Sequence, residues 1–224
     1  MARTDDISRI LSIVAGYIPS GIAYGVLATA VQIPWYFTIL LSLVVYSGAV
    51  QSAFVGFWSL GFEPFSIILT AFLLNLRHTF YGPHLEENYN SVQRKDIAEI
   101  GPLLTDEIYA LGVSEPLIPI SKLKRLAIFS YACWFLGTLT GIISTGGMPP
   151  FLLPILYLSL PALFLGLMVP KIKGIETVAA ATASIAVAVL FRVYGFPAYF
   201  ILLSIVAGVV SGVVFSKPQW RGNL

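Results

Sequence analysis

Charge is what this sequence has least of. Only 11% of its 224 residues are Asp, Glu, Lys or Arg, against about 25% in an ordinary soluble domain. No charged residue occurs from Ile10 to Phe62 or from Leu126 to Pro170, runs of 53 and 45 residues. Each run can cross a hydrocarbon core twice, since one helical crossing needs about 20 residues. These runs exclude an ordinary soluble domain and predict an integral membrane protein.

Cysteine and histidine are also scarce. The single cysteine, Cys133, excludes an internal disulfide framework and a cysteine metal cluster. The two histidines, His78 and His84, stand six residues apart, which is not the spacing of a metal site on a helix. A net charge of +2 is too small to indicate a nucleic-acid partner. Nucleotide-binding and hydrolase motifs are missing as well, so we expect no cofactor and no enzymatic activity.

Apolar residues make up 57% of the chain and surround each long run on all sides, without the alternation of a membrane barrel. Helices satisfy every backbone group in lipid, and links rich in proline and glycine separate the apolar segments. We therefore predict an all-α integral membrane protein with one polytopic domain, residues 1–224. It has about seven transmembrane helices: Ile10–Val31, Tyr36–Leu60, Pro64–Phe80, Leu126–Thr145, Phe151–Val169, Ile175–Phe191 and Ala198–Phe215.

The polar centre of the chain, residues 81–124, interrupts this pattern. It fits a solvated loop with one short helix, which Thr105 would cap, and it also fits a re-entrant segment at 101–116. If the loop is cytoplasmic, nine basic residues lie on the cytoplasmic side and three on the outer side. This bias predicts an outside N-terminus and a cytoplasmic C-terminus.

Two parts of the chain resemble each other. Gly21-x-x-x-Gly25 in the first predicted span has a counterpart in Gly137-x-x-x-Gly141 of the fourth. A small or helix-breaking element follows each motif at a similar distance: Ser47-Gly48-Ala49 in the second span and Leu160-Pro161-Ala162 in the fifth. This pattern fits a 3+3 inverted repeat plus one extra helix. Coincidence is an equal alternative, because small-x-x-x-small patterns are common where membrane helices pack closely.

Two polar clusters occur within the first two predicted spans. Pro19 and Gly21 weaken the helix, so we expect a kinked or unwound segment whose freed backbone groups contact a substrate. A plain proline kink satisfied by Ser20 is the alternative. Gln51, close to Gly48, should face the bundle interior, where it binds a ligand or joins two helices. The candidate substrate-binding residues here are Pro19, Ser20, Gly21, Tyr24, Gly48, Gln51 and Phe54.

Two further clusters flank the start of the polar centre. Asn75, Arg77, His78 and Thr79 place polarity along one helix face, which favours a cavity over a lone arginine reaching the lipid headgroups. Asp106 and Glu107 could neutralise Arg77, bind an ammonium group, carry a proton or simply begin a surface helix. The remaining candidate substrate-binding residues are Asn75, Arg77, His78, Asp106, Glu107 and, as an apolar wall, Phe164.

Five segments occur in this order along the chain: GYIPSGIAYG, YSGAVQSAF, NLRHTFYGPHL, LLTDEIYAL and SLPALFLGL. Together they resemble the AzlC family from about Gly16 to Leu167. That family contains the large subunits of branched-chain amino-acid exporters. The resemblance implies a permease of the cytoplasmic (plasma) membrane of a prokaryote, with a small hydrophobic partner subunit of the AzlD type. One position differs, since this chain has Asn75 where an aspartate can precede the arginine pair.

The polar clusters and the resemblance together predict a secondary transporter of hydrophobic or branched-chain amino acids. Export as its direction is implied by the resemblance alone, and proton coupling is a further hypothesis. Arg77 or N–H groups around Gly48 would hold the carboxylate. Asp106, Glu107 or carbonyl groups near Pro19 would hold the ammonium group. A channel or a non-transporting membrane subunit is the alternative, and an intramembrane enzyme has no support in the sequence.

Overall fold

A computed structural model describes residues 2–89, 94–114, 117–147, 149, 151–152, 154–155, 158, 165, 169, 172–194 and 200–216. Helices dominate these ranges, which contain no strand. The all-α class predicted from composition is therefore confirmed. The α-helices are α1 Ala2–Ala30, α2 Trp35–Val44, α3 Gly48–Ser59, α4 Pro64–Asn75, α5 His78–Asn88, α6 Arg94–Ile100, α7 Asp106–Gly112, α8 Ile120–Ser144, α9 Ile175–Val193 and α10 Phe200–Phe215.

Two stretches of the described chain, Ile7–Ala30 and Ile120–Gly147, are helices long and apolar enough to cross a membrane. Three shorter apolar helices are Trp35–Val44, Ile175–Phe191 and Leu203–Phe215. Large apolar side chains such as Phe65 and Ile143 are exposed, as suits contact with lipid. The count of seven spans is not confirmed, and most of the fifth predicted span lies outside the described residues.

The second predicted span is two helices. Its chain leaves α2 after Val44 and enters α3 at Gly48. Between them Tyr46 has a φ of +41°, a left-handed conformation that side chains rarely adopt. The break therefore falls at the Ser47-Gly48 step that the sequence marked, and it redirects the chain inside an apolar segment.

The third predicted span and the polar centre also differ from expectation. Instead of one helix over 64–80, α4 ends at Asn75, a turn follows at Leu76 and Arg77, and α5 runs to Asn88. The polar centre then holds α6, a 3-10 turn at Gly101–Leu103 and α7, so a loop with only one short helix is wrong. Thr105 does cap α7, because its hydroxyl accepts a hydrogen bond from the Ile108 N–H at 3.4 Å.

The first helix runs through Pro19 without interruption. Unwinding at this point is therefore a wrong expectation. Proline removes one intrahelical hydrogen bond, but a long membrane helix tolerates that loss when its neighbours pack closely. Pro19 itself is exposed, whereas Ser20 and Gly21, next along the chain, are buried.

Helices α1 and α8 cross through the two glycine motifs. A methyl group on Gly21 would lie 2.7 Å from the Trp134 carbonyl oxygen, and one on Gly137 would lie 2.7 Å from the Ile18 carbonyl oxygen. Gly25 and Gly141 approach in the same reciprocal way, each against the other's Cα and backbone. Glycine is required at this crossing because any side chain would push the two backbones apart.

The described contacts divide the chain into two units, residues 1–163 and 164–224. In the second unit, α9 and α10 pack as a pair. Gly208 of α10 lies against Ser184 of α9, whose hydroxyl donates to the Ser204 carbonyl at 2.9 Å. The prediction of a single domain over 1–224 remains a prediction.

Gly25→Ala and Gly141→Ala should each lower the free energy of unfolding by about 1–3 kcal/mol, because the added methyl group overpacks the crossing. The measurement is thermal unfolding of the purified protein in detergent. Gly56→Ala in α3 is the control, since nothing lies within 4 Å of the added methyl there. Its stability should stay equal or rise by up to about 1 kcal/mol through helix propensity. Variants at Gly25 and Gly141 that melt at or above the wild-type temperature would contradict the crossing.

Candidate functional site

A buried set of polar side chains surrounds the break between α2 and α3. We call it the interior polar cluster, and it consists of Tyr24, Ser42, Tyr46, Ser47, Gln51, Ser130, Trp134 and Thr138. All eight residues are almost completely buried. Polar groups at this depth in apolar helices are costly unless they meet partners or line a cavity. The cluster is therefore a candidate substrate-binding site.

The α8 side of the cluster is a stripe of three residues, Ser130, Trp134 and Thr138. They are spaced by four, so they share one face of the helix. The Ser42 and Thr138 hydroxyls lie 2.9 Å apart, and the Tyr46 hydroxyl donates to Ser130 Oγ at 3.3 Å. The stripe thus contacts α2 and the break that follows it.

Gln51 joins the two short helices. Its Nε2 donates to Ser42 Oγ at 3.1 Å, which ties α3 to α2. The Tyr24 ring stacks on Trp134, with ring centroids 6.2 Å apart and planes at 21°. Its hydroxyl donates to the Thr38 carbonyl at 3.4 Å. An aromatic pair therefore borders the hydrogen-bonded part of the cluster.

Three atoms of the cluster have no hydrogen-bond partner among the described residues. They are Ser47 Oγ, Gln51 Oε1 and Trp134 Nε1. Their residues are exposed by only 3%, 0% and 4%. An unsatisfied buried polar atom costs about 1–3 kcal/mol. Such atoms require an explanation, and in a cluster they indicate a place for a polar ligand.

A second set of polar residues, the Arg77 cluster, lies where α4, α5 and α7 meet. The Arg77 guanidinium forms an ion pair with Asp106 at 2.8 Å, and Tyr81 donates to the same carboxylate. The rings of Tyr81 and Tyr109 stack at 4.1 Å, and the Tyr109 hydroxyl bonds to His84 Nδ1. Neutralisation of Arg77 by one of the two adjacent carboxylates, an alternative from the sequence, is therefore observed for Asp106.

The two tyrosines remain neutral hydrogen-bonding groups. Burial and the Asp106 carboxylate raise the pKa of Tyr81 above its ordinary value. Burial also raises the pKa of Tyr109. Because a raised tyrosine pKa favours the protonated hydroxyl, both keep their protons at physiological pH. An open cavity of about 490 Å³ borders this cluster, lined by Arg77, Phe80, Tyr81, Pro83, His84, Glu87 and Tyr109.

Tyr17 of α1 connects the two clusters. Its hydroxyl donates to Glu107 Oε2 at 2.8 Å and hydrogen-bonds to Thr105 Oγ1. The Tyr17 ring lies edge-on to Trp134, with centroids 6.3 Å apart. Tyr17 thus links the first turn of α7 to the interior polar cluster.

The residues predicted from the sequence separate into groups. The structure brings Tyr24 and Gln51 together and places Gly48 at the start of α3, while Arg77 meets Asp106 and Glu107 meets Tyr17. Other predicted residues take different positions. Gly21 serves helix packing, and Phe54 lies against Phe37 and Trp58 at 5.6 and 5.8 Å. His78 packs on Tyr81 at 5.2 Å, Asn75 ends α4, and Phe164 lies outside the described residues.

The residues that sequence reasoning missed are Tyr17, Ser42, Tyr46, Ser130, Trp134 and Thr138. The four-residue spacing of the last three is visible in the sequence and could have revealed a polar stripe. The others depend on contacts between residues far apart in the chain. No group of three or more His, Cys, Asp or Glu side chains that could hold a metal occurs within the described ranges.

Comparison with known proteins agrees with a membrane location. Residues 12–148 match the family model described as AzlC protein. The chain is 25% identical to inner membrane protein YgaZ of Escherichia coli, over 95% of the chain and 89% of that protein. It is 32% identical to an uncharacterized membrane protein of Archaeoglobus fulgidus, over 94% of the chain and 91% of that protein.

A third relative carries a more specific name. It is the branched-chain amino acid transport protein AzlC of Bacillus subtilis, 25% identical over 39% of the chain and 34% of that protein. No solved structure matches the chain.

Arg77→Gln and Asp106→Asn should show a coupling free energy of about 0.5–3 kcal/mol in a double-mutant cycle, because each charge loses its partner in the single variants. The measurement is thermal unfolding of the two single variants and the double variant. Lys95 and Glu99 form a matched control pair, with a separation of 3.9 Å and side chains exposed by 80% and 50%. That pair should show no measurable coupling. Additive effects of Arg77→Gln and Asp106→Asn would contradict the ion pair.

Proposed function

Because the chain belongs to the AzlC family of membrane proteins, we propose that it is a secondary transporter that exports hydrophobic or branched-chain amino acids. The observation that carries the proposal is the interior polar cluster, with three unpartnered buried atoms inside apolar helices. The Bacillus subtilis relative named as a branched-chain amino acid transport protein supports the choice of substrate. We also propose that the chain has no enzymatic activity.

A carrier of apolar amino acids needs polar contacts for the carboxylate, polar contacts for the ammonium group and an apolar space for the side chain. The interior polar cluster offers hydrogen-bond donors and acceptors beside the stacked rings of Tyr24 and Trp134. Ligand sites of this kind are mostly apolar, with a few polar groups that fix orientation. Arg77 is less suited to the carboxylate, since Asp106 already neutralises it.

We propose that alternating access uses an inverted repeat. The reciprocal crossing supports it, since residues 18 and 21 of α1 correspond to residues 134 and 137 of α8 with one offset of 116 residues. Such self-complementary contacts are typical of a twofold axis. In secondary transporters with inverted repeats, broken helices and the substrate site lie near the repeat interface. The break between α2 and α3 lies beside α8, as this arrangement requires.

Glu107 is the proposed proton-coupling group. Its carboxylate accepts a hydrogen bond from the Tyr17 hydroxyl at 2.8 Å. No Lys or Arg within the described ranges forms an ion pair with it. Glu107 differs in this respect from the adjacent Asp106, which forms an ion pair with Arg77 at 2.8 Å. The proposed carrier also works with a small membrane subunit of the AzlD type, as family resemblance implies.

Cells that lack their own exporters and carry the chain with its partner subunit should export isoleucine several-fold faster than cells without them. Loading the cells with an isoleucine-containing dipeptide raises internal isoleucine, and its appearance in the medium is the measurement.

Glu107→Gln should slow net export against a gradient but preserve exchange of labelled for unlabelled isoleucine. Glu63→Gln, at an exposed position just before α4, is the matched control and should match the wild type.

Equal isoleucine export with and without the chain would contradict the transport proposal. Loss of both net export and exchange in Glu107→Gln would contradict a coupling role for that residue. It would not contradict the proposal that the wild-type chain transports isoleucine. A flux that rises linearly with concentration, without saturation, would indicate a channel.

A further inference from the structure

The start of α3 is a helix N-terminus inside the protein. Ser47 precedes α3 with φ of −137° and ψ of 104°, and its side chain does not cap the helix. The first N–H groups of a helix have no acceptor within it, and they carry the positive end of the helix dipole. Gly48 opens this turn and has no side chain of its own to shield these N–H groups. Such a helix start attracts an anion.

Unpartnered side chains supply the independent observation. Ser47 Oγ lies at the N-terminus of α3, and Gln51 stands one turn later on the same face of the helix. Gln51 is linked to the Trp134 face of α8 through Ser42, which hydrogen-bonds to Thr138, one turn beyond Trp134. Tyr24 stacks on the indole ring of Trp134. The side chains of Ser47, Gln51 and Trp134 are more than nine-tenths buried, and each has a polar atom without a partner in the described part of the chain.

The chemistry of the free atoms selects one kind of ligand. Ser47 and Trp134 offer a hydroxyl and an indole N–H, which are donors suited to a carboxylate. Gln51 Oε1 can only accept a hydrogen bond, as every amide oxygen does. The Nε2 of the same amide donates to Ser42 Oγ. An acceptor beside several donors matches a zwitterion, in which a carboxylate and an ammonium group stand on one carbon atom. A simple anion would leave the Gln51 oxygen unsatisfied.

We propose that the carboxylate of an α-amino acid binds at the N-terminus of α3, held by the Ser47 hydroxyl, the Trp134 indole N–H and the first backbone N–H groups of α3, while Gln51 Oε1 accepts its ammonium group. The subsite rests on the proposed transport of amino acids and specifies which atoms recognise the substrate. Its requirement for both charged groups distinguishes it from a nonspecific apolar pocket.

The test compares isoleucine with two analogues on the protein co-purified with its partner subunit. Isoleucinol lacks the carboxylate, and N-acetylisoleucine lacks the ammonium group. Binding is measured as ligand-induced thermal stabilisation, and transport as competition with labelled isoleucine in proteoliposomes. Both analogues should bind the wild type at least about tenfold more weakly than isoleucine, because each leaves buried polar groups unpaired.

Two variants assign the effect to the subsite. Ser47→Ala and Trp134→Phe should weaken isoleucine about tenfold yet leave isoleucinol unchanged, since only the carboxylate contact is lost. Trp134→Phe preserves an aromatic ring for stacking on Tyr24. Ser59→Ala, on the exposed end of the same helix, is the matched control and should bind all three compounds as the wild type does.

The outcomes separate the subsite from the proposed function. Isoleucinol that binds the wild type as well as isoleucine overturns the subsite, even if isoleucine is transported, and this result needs no variant. Ser47→Ala and Trp134→Phe that weaken isoleucine and isoleucinol equally overturn it as well. Binding that depends on the carboxylate, without any flux in proteoliposomes, upholds the subsite and overturns transport.

Discussion

The close approach of α1 and α8 through their glycines is the constraint on which the first unit depends. Gly21 and Gly25 meet Gly137 and Gly141 backbone to backbone, and each added methyl group would collide with the opposite helix. In lipid there is no hydrophobic force between helices, so association relies on close packing and on hydrogen bonds. The crossing provides the first and brings the side chains for the second into register.

The interior polar cluster follows from that crossing. Trp134 and Thr138 surround Gly137 in sequence, so the face of α8 that meets α1 is continuous with the face that meets the break between α2 and α3. Ser42 and Tyr46 then find partners on Thr138 and Ser130. Tyr17, one turn before Gly21 on α1, reaches Glu107 on α7 from the same crossing. Packing, the Tyr17 link and the candidate site are therefore parts of one arrangement.

Much of this was readable from the sequence. The absence of charge over 53 and 45 residues indicates membrane helices through elementary solvation, and it needs no knowledge of contacts. The Ser47-Gly48 break and the pairing of Arg77 with Asp106 were recognisable, because small residues and opposite charges have few places in apolar segments. The matching glycine motifs were visible too, but not that they face each other.

Other features were not readable, for physical reasons. Pro19 suggested unwinding, but the cost of one lost hydrogen bond is borne by a continuous helix packed against α8. Tyr17 and Glu107 lie 90 positions apart, and no local pattern predicts that a tyrosine hydroxyl meets a carboxylate at that separation. The breaks at Leu76 and in the polar centre depend on tertiary contacts that override helix propensity.

The most direct test of the account asks whether the glycine crossing positions the polar cluster. In a Cys133→Ser background, cysteines replace Ser42 and Thr138, whose hydroxyls lie 2.9 Å apart. Oxidation in native membranes should form an intramolecular disulfide. A pair at Ser42 and exposed Thr140 should form none, and Gly25→Leu should abolish the first cross-link by separating α1 from α8. A Ser42–Thr138 cross-link that persists in Gly25→Leu, or never forms with the glycines intact, would contradict the account.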